Sequence, residues 1–465
     1  MKCYCIILII LILTSCQSEF TLFKEKATTF ANSDNYIDEK EYQILLDEIS
    51  CSDERDFKQF KNIQGVIDSS KVVTYLLKQF KLTKADIWQP ITNLKQKTIN
   101  INVYIENSGS MDGYVKGVTE FEQAVYNYLT DIKISKFTDS LNLFYINSDI
   151  IPQGSDISDF IEKLDPTTFK NKGGSRGTTD ISNLLKSVLT ETKPNEISIL
   201  VTDGIFSPGV GKDAEQYLVN QQIGIKSSMA DYLDKYPNSA VVIYQLSSKF
   251  DGWYYNREDS RTKINEERPY YLWIIGKTDL INDLILKVPE NKFKGSGVQN
   301  VFSITGGPKS VDYAVKMGSG KFDLDKKEPK TTIENLKKET KGQQNSARFS
   351  VNANLSGFLL SDNYLRDISN YELNNKDFAL TICNSVSNNF GYTHQLNFES
   401  GSVHKGVISV KLKTLIPQWV EDINDSIGSI PVNGKTYGIK YQIHGIYEAF
   451  TISNNYYTEI KIKIN

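Results

Sequence analysis

Five short runs in the middle of the chain are apolar at both alternating positions, and this pattern restricts the fold more than any other feature. They are INVYI (101–105), LNLFYI (141–146), ISILVT (197–202), AVVIYQL (240–246) and YYLWII (270–275). Strands that are apolar on both faces belong inside a sheet covered on both sides. Amphipathic helical patterns lie between them: TEFEQAVYNYLTDI, ISDFIEKL, DISNLLKSVLTE and SSMADYLDKY. Strand-helix-strand repetition at this spacing predicts an α/β domain with a doubly wound, mostly parallel, Rossmann-type sheet over residues 98–288, with TDLINDLILKV as its closing helix.

The flanking regions have different textures. Residues 16–97 predict a helical N-terminal segment. Tyr42, Leu45, Leu46 and Ile49 share one helix face, as do Val72, Val73, Leu76, Leu77 and Phe80. Asp34, Asp38 and Glu41 lack the spacing and central glycine of a calcium loop and read as a solvated helix start. Residues 289–465 predict a β-rich C-terminal domain, an antiparallel sheet or small sandwich built from ARFSVNANL, FALTIC, THQLNFE, GVISVKLKT and YYTEIKIKI. Within it, 318–345 is poor in large apolar residues and reads as an exposed excursion, and GIKYQIHGIYEAF reads as a helix.

Composition excludes several classes. Hydrophobic residues are 40% and charged residues 23% of the 465, as in an ordinary globular protein and unlike a disordered or fibrous one. Lys plus Arg (53) nearly balances Asp plus Glu (56), so no global field favours nucleic acid. The three histidines, His394, His404 and His444, form no His-x-x-x-His, and there is no Cys-x-x-Cys, so a zinc site is not expected.

The chain opens MKCYCIILIILILTSC, with Lys2, an eight-residue apolar run from Ile6 to Leu13, and small residues before Cys16. The run is too short to span about 30 Å of hydrocarbon and fits a signal-peptide core. The segment resembles a bacterial lipoprotein signal with its lipobox. The resemblance implies that residues 1–15 are removed, that Cys16 is acylated, and that the membrane is engaged by this lipid anchor alone. Gln17 in place of Asp after the cysteine implies an outer-membrane address. Cys3 and Cys5 would leave with the leader, so Cys51 and Cys383 remain, and a disulfide between them is not the favoured reading.

The chemistry-bearing residues sit where the strands end. INVYI runs into Glu106, Asn107, Ser108, Gly109 and Ser110; ISILVT runs into Asp203 and Gly204; GGSRGTTDI places Thr178, Thr179 and Asp180 at a helix start. In an open α/β sheet, ligands bind beyond the carboxyl ends of the strands, where the winding reverses. If the two strands are neighbours in a 3-2-1-4 order, about 4.8 Å apart, Glu106 and Asp203 face each other. Two such carboxylates repel unless a proton or a cation lies between them. The hydroxyls of Ser108, Ser110 and Thr179 complete an oxygen-only set suited to Mg²⁺ or Mn²⁺.

This constellation resembles the von Willebrand factor type A (VWA) domain and its metal-ion-dependent adhesion site (MIDAS). Ser108 and Ser110 match the serines of Asp-x-Ser-x-Ser, Thr179 the threonine of the following loop, with Thr178 one residue out of register, and Asp203 the last acid. Glu106 stands where the family has Asp, which adds one methylene of reach and puts metal affinity in question. The resemblance implies a VWA-like fold, a metal site at Glu106, Ser108, Ser110, Thr179 and Asp203, and a protein partner that supplies an acidic side chain.

The leading expectation is therefore a non-enzymatic, lipid-anchored cell-envelope protein that binds a partner protein through a divalent ion. One alternative is a metal-dependent hydrolase using Glu106 or Asp203 as base, although no nucleophile-His pair, paired general acid or phosphate loop accompanies it. The other is a scaffold with a degenerate site, in which the C-terminal region binds glycan or peptide. Beside the site, FDGWYYN (250–256) reads as a partner surface or, preferably, a hairpin packed on the core. Arg176 and Asp112 read as an exposed loop residue and a solvated turn residue, in preference to a ligand-attracting or supporting role.

Overall fold

A computed structural model of the chain describes residues 18–34, 37–52, 54–61, 67–80, 87, 99–177, 180–211, 213–307, 310–341, 344–384 and 392–465. The expected leader, Cys16, Thr178 and Thr179 lie outside the described residues. The chain divides into two compact units, Met1–Lys97 and Thr98–Asn465. Among the described residues no helix is long and apolar enough to cross a membrane.

The first unit holds α1 (Glu19–Asp34), α2 (Glu39–Cys51) and α3 (Ser69–Phe80). Its core is aromatic, with Phe20, Phe23, Phe57, Phe60 and Tyr75 in mutual ring contact. The helix faces expected from spacing are the buried ones, with Tyr42, Leu45 and Ile49 fully enclosed beside Val72 and Leu76. Asp38 begins α2 as half of a capping box: its carboxylate accepts from Glu41 N at 2.9 Å, and Glu41 Oε2 accepts from Asp38 N at 3.1 Å.

The second unit carries a seven-stranded sheet, made of β1 (Asn100–Glu106), β2 (Ser140–Ile146), β3 (Ile150–Gly154), β4 (Glu196–Thr202), β5 (Ser239–Tyr255), β6 (Arg261–Lys277) and β7 (Asn300–Thr305). Its order is β3-β2-β1-β4-β6-β5-β7. Odd and even residues of each central strand go to opposite faces. Ile101, Val103, Ile105, Ile197, Ile199 and Val201 pack under α4 (Glu120–Ile134), α5 (Ile157–Glu162), α6 (Pro166–Asn171) and α9 (Thr278–Lys287). Tyr104, Leu200, Tyr271, Trp273 and Ile275 pack under α7 (Ile181–Glu191) and α8 (Ala214–Lys235). The protein is thus mixed α/β, with this sheet covered on both sides.

Strands β1, β2, β4 and β5 run one way, and β3, β6 and β7 the other. Parallel neighbours occur only in β2-β1-β4, so the expected mostly parallel layer has antiparallel flanks. The cause is local: β5 and β6 are joined by a tight turn in which Asn256 N donates to Ser260 O at 3.0 Å, and a parallel pair would need a crossover of a dozen residues or more. The FDGWYYN segment forms part of this hairpin, with Phe250 and Tyr254 buried.

Chain beyond residue 288 serves both sheets. The second sheet is nine-stranded, with β8 (Tyr313–Val315), β9 (Lys321–Leu324), β10 (Thr332–Lys341), β11 (Gln344–Ala353), β12 (Tyr371–Leu373), β13 (Phe378–Asn384), β14 (His394–Ser400), β15 (Gly406–Lys413) and β18 (Tyr456–Ile464). Its main order is β12-β15-β18-β10-β11-β14-β13, so it curls until its two edges are consecutive strands. It encloses its own apolar core, and α10 (Asp362–Arg366) adds Leu365 to it. Residues 318–345, expected as an excursion, supply β9 and β10, with Ile333 and Leu336 buried.

The first layer takes β7, α11 (Trp419–Asp422), the short pair β16 (Asn424–Asp425) and β17 (Thr436–Tyr437), and α12 (Ile439–Phe450). Helix α12 is the GIKYQIHGIYEAF segment. It lies so close to α8 that a Cβ at Gly445 would sit 2.7 Å from the carbonyl oxygen of Gln222. Gly445→Val is therefore expected to destabilise the second unit by about 1–3 kcal/mol, read from chemical denaturation with tryptophan fluorescence, because a backbone atom has to move.

Candidate functional site

Strands β1 and β4 lie side by side and parallel, in the register Ile105↔Val201. The chain leaves β1 toward α4 on one face and β4 toward α8 on the other, which makes their carboxyl ends a topological switch point. Glu106 ends β1 and is buried, and its carboxylate accepts a hydrogen bond from the Thr202 hydroxyl on the neighbouring strand. Thr202 Oγ1 in turn accepts from Gly204 N at 2.9 Å. The extra methylene of Glu106 thus carries its carboxylate to β4.

All seven residues of β4 are buried, so Asp203, which follows them, is delivered into the interior with no exposed surface. Its Oδ1 accepts from Ile205 N at 3.0 Å, while Oδ2 is buried without a well-formed hydrogen bond. Burial pushes the Asp203 carboxyl up from its ordinary value; the Ile205 N–H, the Ser110 hydroxyl and the Arg268 guanidinium oppose that rise. Gly204 turns the chain at φ +65°, where a side chain would also press on Tyr271.

Ser108 and Ser110 meet above this pair, with Oγ atoms 2.9 Å apart. They flank Gly109 at the start of a 3-10 turn (Gly109–Gly113). Gly109 has an ordinary φ and is suited here by space, since a Cβ would lie 3.3 Å from the Tyr255 hydroxyl. Ser108 is buried and Ser110 half-buried, so Ser110 is the more open of the two hydroxyls. The structure brings Ser108 and Ser110 into contact and sets Ser110 beside Asp203, while Glu106 is bonded to Thr202, the residue before Asp203; Thr179 lies outside the described residues.

Sequence reasoning overlooked the residues that hold this rim in place. The Arg176 side chain, 15% exposed, donates from Nε to Asn107 O at 2.6 Å and from Nη2 to Ser108 O at 3.1 Å, and it pairs with Asp112. Arg176 is therefore engaged with the loop, and Asp112 is its partner, not a free turn residue. Burial is the larger influence on the Asp112 carboxyl and raises it, against the pull of Arg176.

The glycine-rich loop before Thr178 is docked on the strand ends by Asn147, whose Nδ2 donates to Asn107 Oδ1 at 2.9 Å and to Gly173 O at 3.0 Å. Arg268 is 2% exposed and stacks on Tyr254, with Nη1 bonded to Val432 O and Nη2 to Lys435 O, each at 2.9 Å. Gln442 Nε2 donates to Gly204 O at 2.6 Å, which ties α12 to the turn after β4.

Among the described residues no group of three or more His, Cys, Asp or Glu side chains is arranged to hold a metal ion. The rim offers two carboxylates and serine hydroxyls, an oxygen donor set in which Asp203 Oδ2 has no well-formed hydrogen bond. No family model matches the chain, and no curated protein or solved structure matches it.

The burial of Asp203 has a pH signature. Because its folded-state affinity for a proton exceeds that of the unfolded chain, the folded state binds more protons between about pH 4 and the raised value. Stability from this group is present at low pH and lost as pH rises through that window. In chelator, melting curves of wild type and Asp203→Asn are expected to diverge as pH rises from about 4 toward neutrality, with wild type falling relative to the variant. Parallel curves would contradict this assignment.

Proposed function

We propose that this chain is a lipid-anchored cell-envelope protein whose α/β layer, VWA-like in the arrangement of its site, binds a partner protein through a divalent cation. Cys16 is the proposed anchor and the outer membrane the proposed location; nucleic acid is not a proposed partner, and no catalysis is proposed. The observation that carries the reading is the buried Asp203 Oδ2, without a well-formed hydrogen bond, next to the Ser108 and Ser110 hydroxyl pair at the switch point between β1 and β4. The β3-β2-β1-β4 half of the sheet, in the 3-2-1-4 order expected of a doubly wound layer, supports it further.

The residues present fit a hard cation, which prefers oxygen ligands and tolerates hydroxyl and water donors beside few carboxylates. Asp203, Ser108 and Ser110 would hold it, with Thr179 as a further hydroxyl and Glu106, anchored on Thr202, as the second negative charge. Mg²⁺ or Mn²⁺ bound there would supply an attachment point for an acidic side chain of the partner. This chain's own contribution is to exclude water from the carboxylates and to fix the hydroxyls at the rim.

Calorimetric titration of the full chain with Mn²⁺ and Mg²⁺ is expected to give saturable heat that disappears in the Ser108→Ala, Ser110→Ala double variant. Equal heats from both proteins would overturn the metal site and leave the layer as a scaffold.

A further inference from the structure

We propose that Arg176 is the positioning residue of this site, a clamp that presets the two serine hydroxyls before any cation arrives. The inference rests on the cation-binding reading for its effect on affinity, but the clamp itself stands on its hydrogen bonds and ion pair. After Glu106 the chain leaves the sheet, and the carbonyls of Asn107 and Ser108 receive their bonds from one guanidinium, at 2.6 and 3.1 Å. The same guanidinium pairs with Asp112 at the far side of the 3-10 turn. In the reverse direction, Gly109 N donates to Arg176 O at 3.0 Å. Four contacts thus join two segments that are remote in sequence, and they bracket Ser108 and Ser110.

The chemistry of the clamp requires arginine. A guanidinium presents several N–H groups in one rigid plane and can serve two carbonyls and a carboxylate together, whereas a lysine ammonium is a flexible point donor. Asp112 also balances the positive charge, so the fork lies beside a cation site without adding an unmatched charge to it. The clamp thereby ties residues 173–177 to the segment that carries the serines.

The test uses the full chain and four variants: Arg176→Ala, Arg176→Lys, Asp112→Ala, and the Arg176→Ala, Asp112→Ala double variant. Two quantities are read: hydrogen exchange of peptides covering 107–113 and 173–177 in chelator, and Mn²⁺ affinity by calorimetry. Arg176→Ala is expected to accelerate exchange in both peptides together by at least about tenfold and to weaken Mn²⁺ binding by a similar factor, without rescue by lysine. Asp112→Ala, which keeps the carbonyl contacts, is expected to lose only about two- to fivefold. The double variant is expected to be no weaker than Arg176→Ala, because residues of one network do not add.

Unchanged exchange in Arg176→Ala would overturn the clamp. Faster exchange with wild-type Mn²⁺ affinity would overturn its positioning role. If wild type takes up no Mn²⁺, the proposed function fails, and the exchange result alone decides whether the two segments are clamped.

Discussion

A carboxylate without water needs donors or countercharge, and the upper rim of the first sheet is organised around that need at Asp203. An interior of low dielectric penalises an isolated charge far more than a surface does. The backbone N–H of Ile205 answers one oxygen, and the guanidinium of Arg268 acts at longer range. Arg268 is itself buried, so its own donors have to be used, and they go to the carbonyls of Val432 and Lys435 and to the Glu266 carboxylate. One buried guanidinium thus links this end of the sheet to the segment between β16 and β17.

The two ends of the sheet follow from what connects the strands. Where helices intervene, α4 between β1 and β2 and α7 before β4, the strands run the same way, so β1 has a parallel neighbour on each side and the switch point forms. Where a tight turn intervenes, the chain reverses. The β5-β6 hairpin projects Tyr255 over Gly109 and packs Phe250 against Tyr114, so the antiparallel flank also shapes the surroundings of the hydroxyl pair.

Much of this was legible in the residues. Apolar runs marked every strand of the first sheet except the short β3 and the later β7, and the serines after INVYI contact each other beside the acid that follows ISILVT. The antiparallel flank had a sign that went unused: no helical pattern separates AVVIYQL from YYLWII. Strand β10 was hidden by a bulge. Its register shifts between Glu334 and Lys337, with Asn335 at φ +55°, which leaves its buried apolar residues Ile333 and Leu336 three apart, off the strand period of two. Arg176 was misread because its partners are mainly backbone carbonyls, which a sequence does not display. Thr202 was concealed as the last residue of an apolar run.

The curl of the second sheet bears on how such a chain is made. Strand β18 lies between β15 and β10, so the sheet remains two fragments, β12-β15 and β10-β11-β14-β13, until residues 456–464 have emerged. Helix α12, which completes the other layer, is synthesised just before it. Neither layer is complete without this stretch, so both sheets depend on residues 439–464.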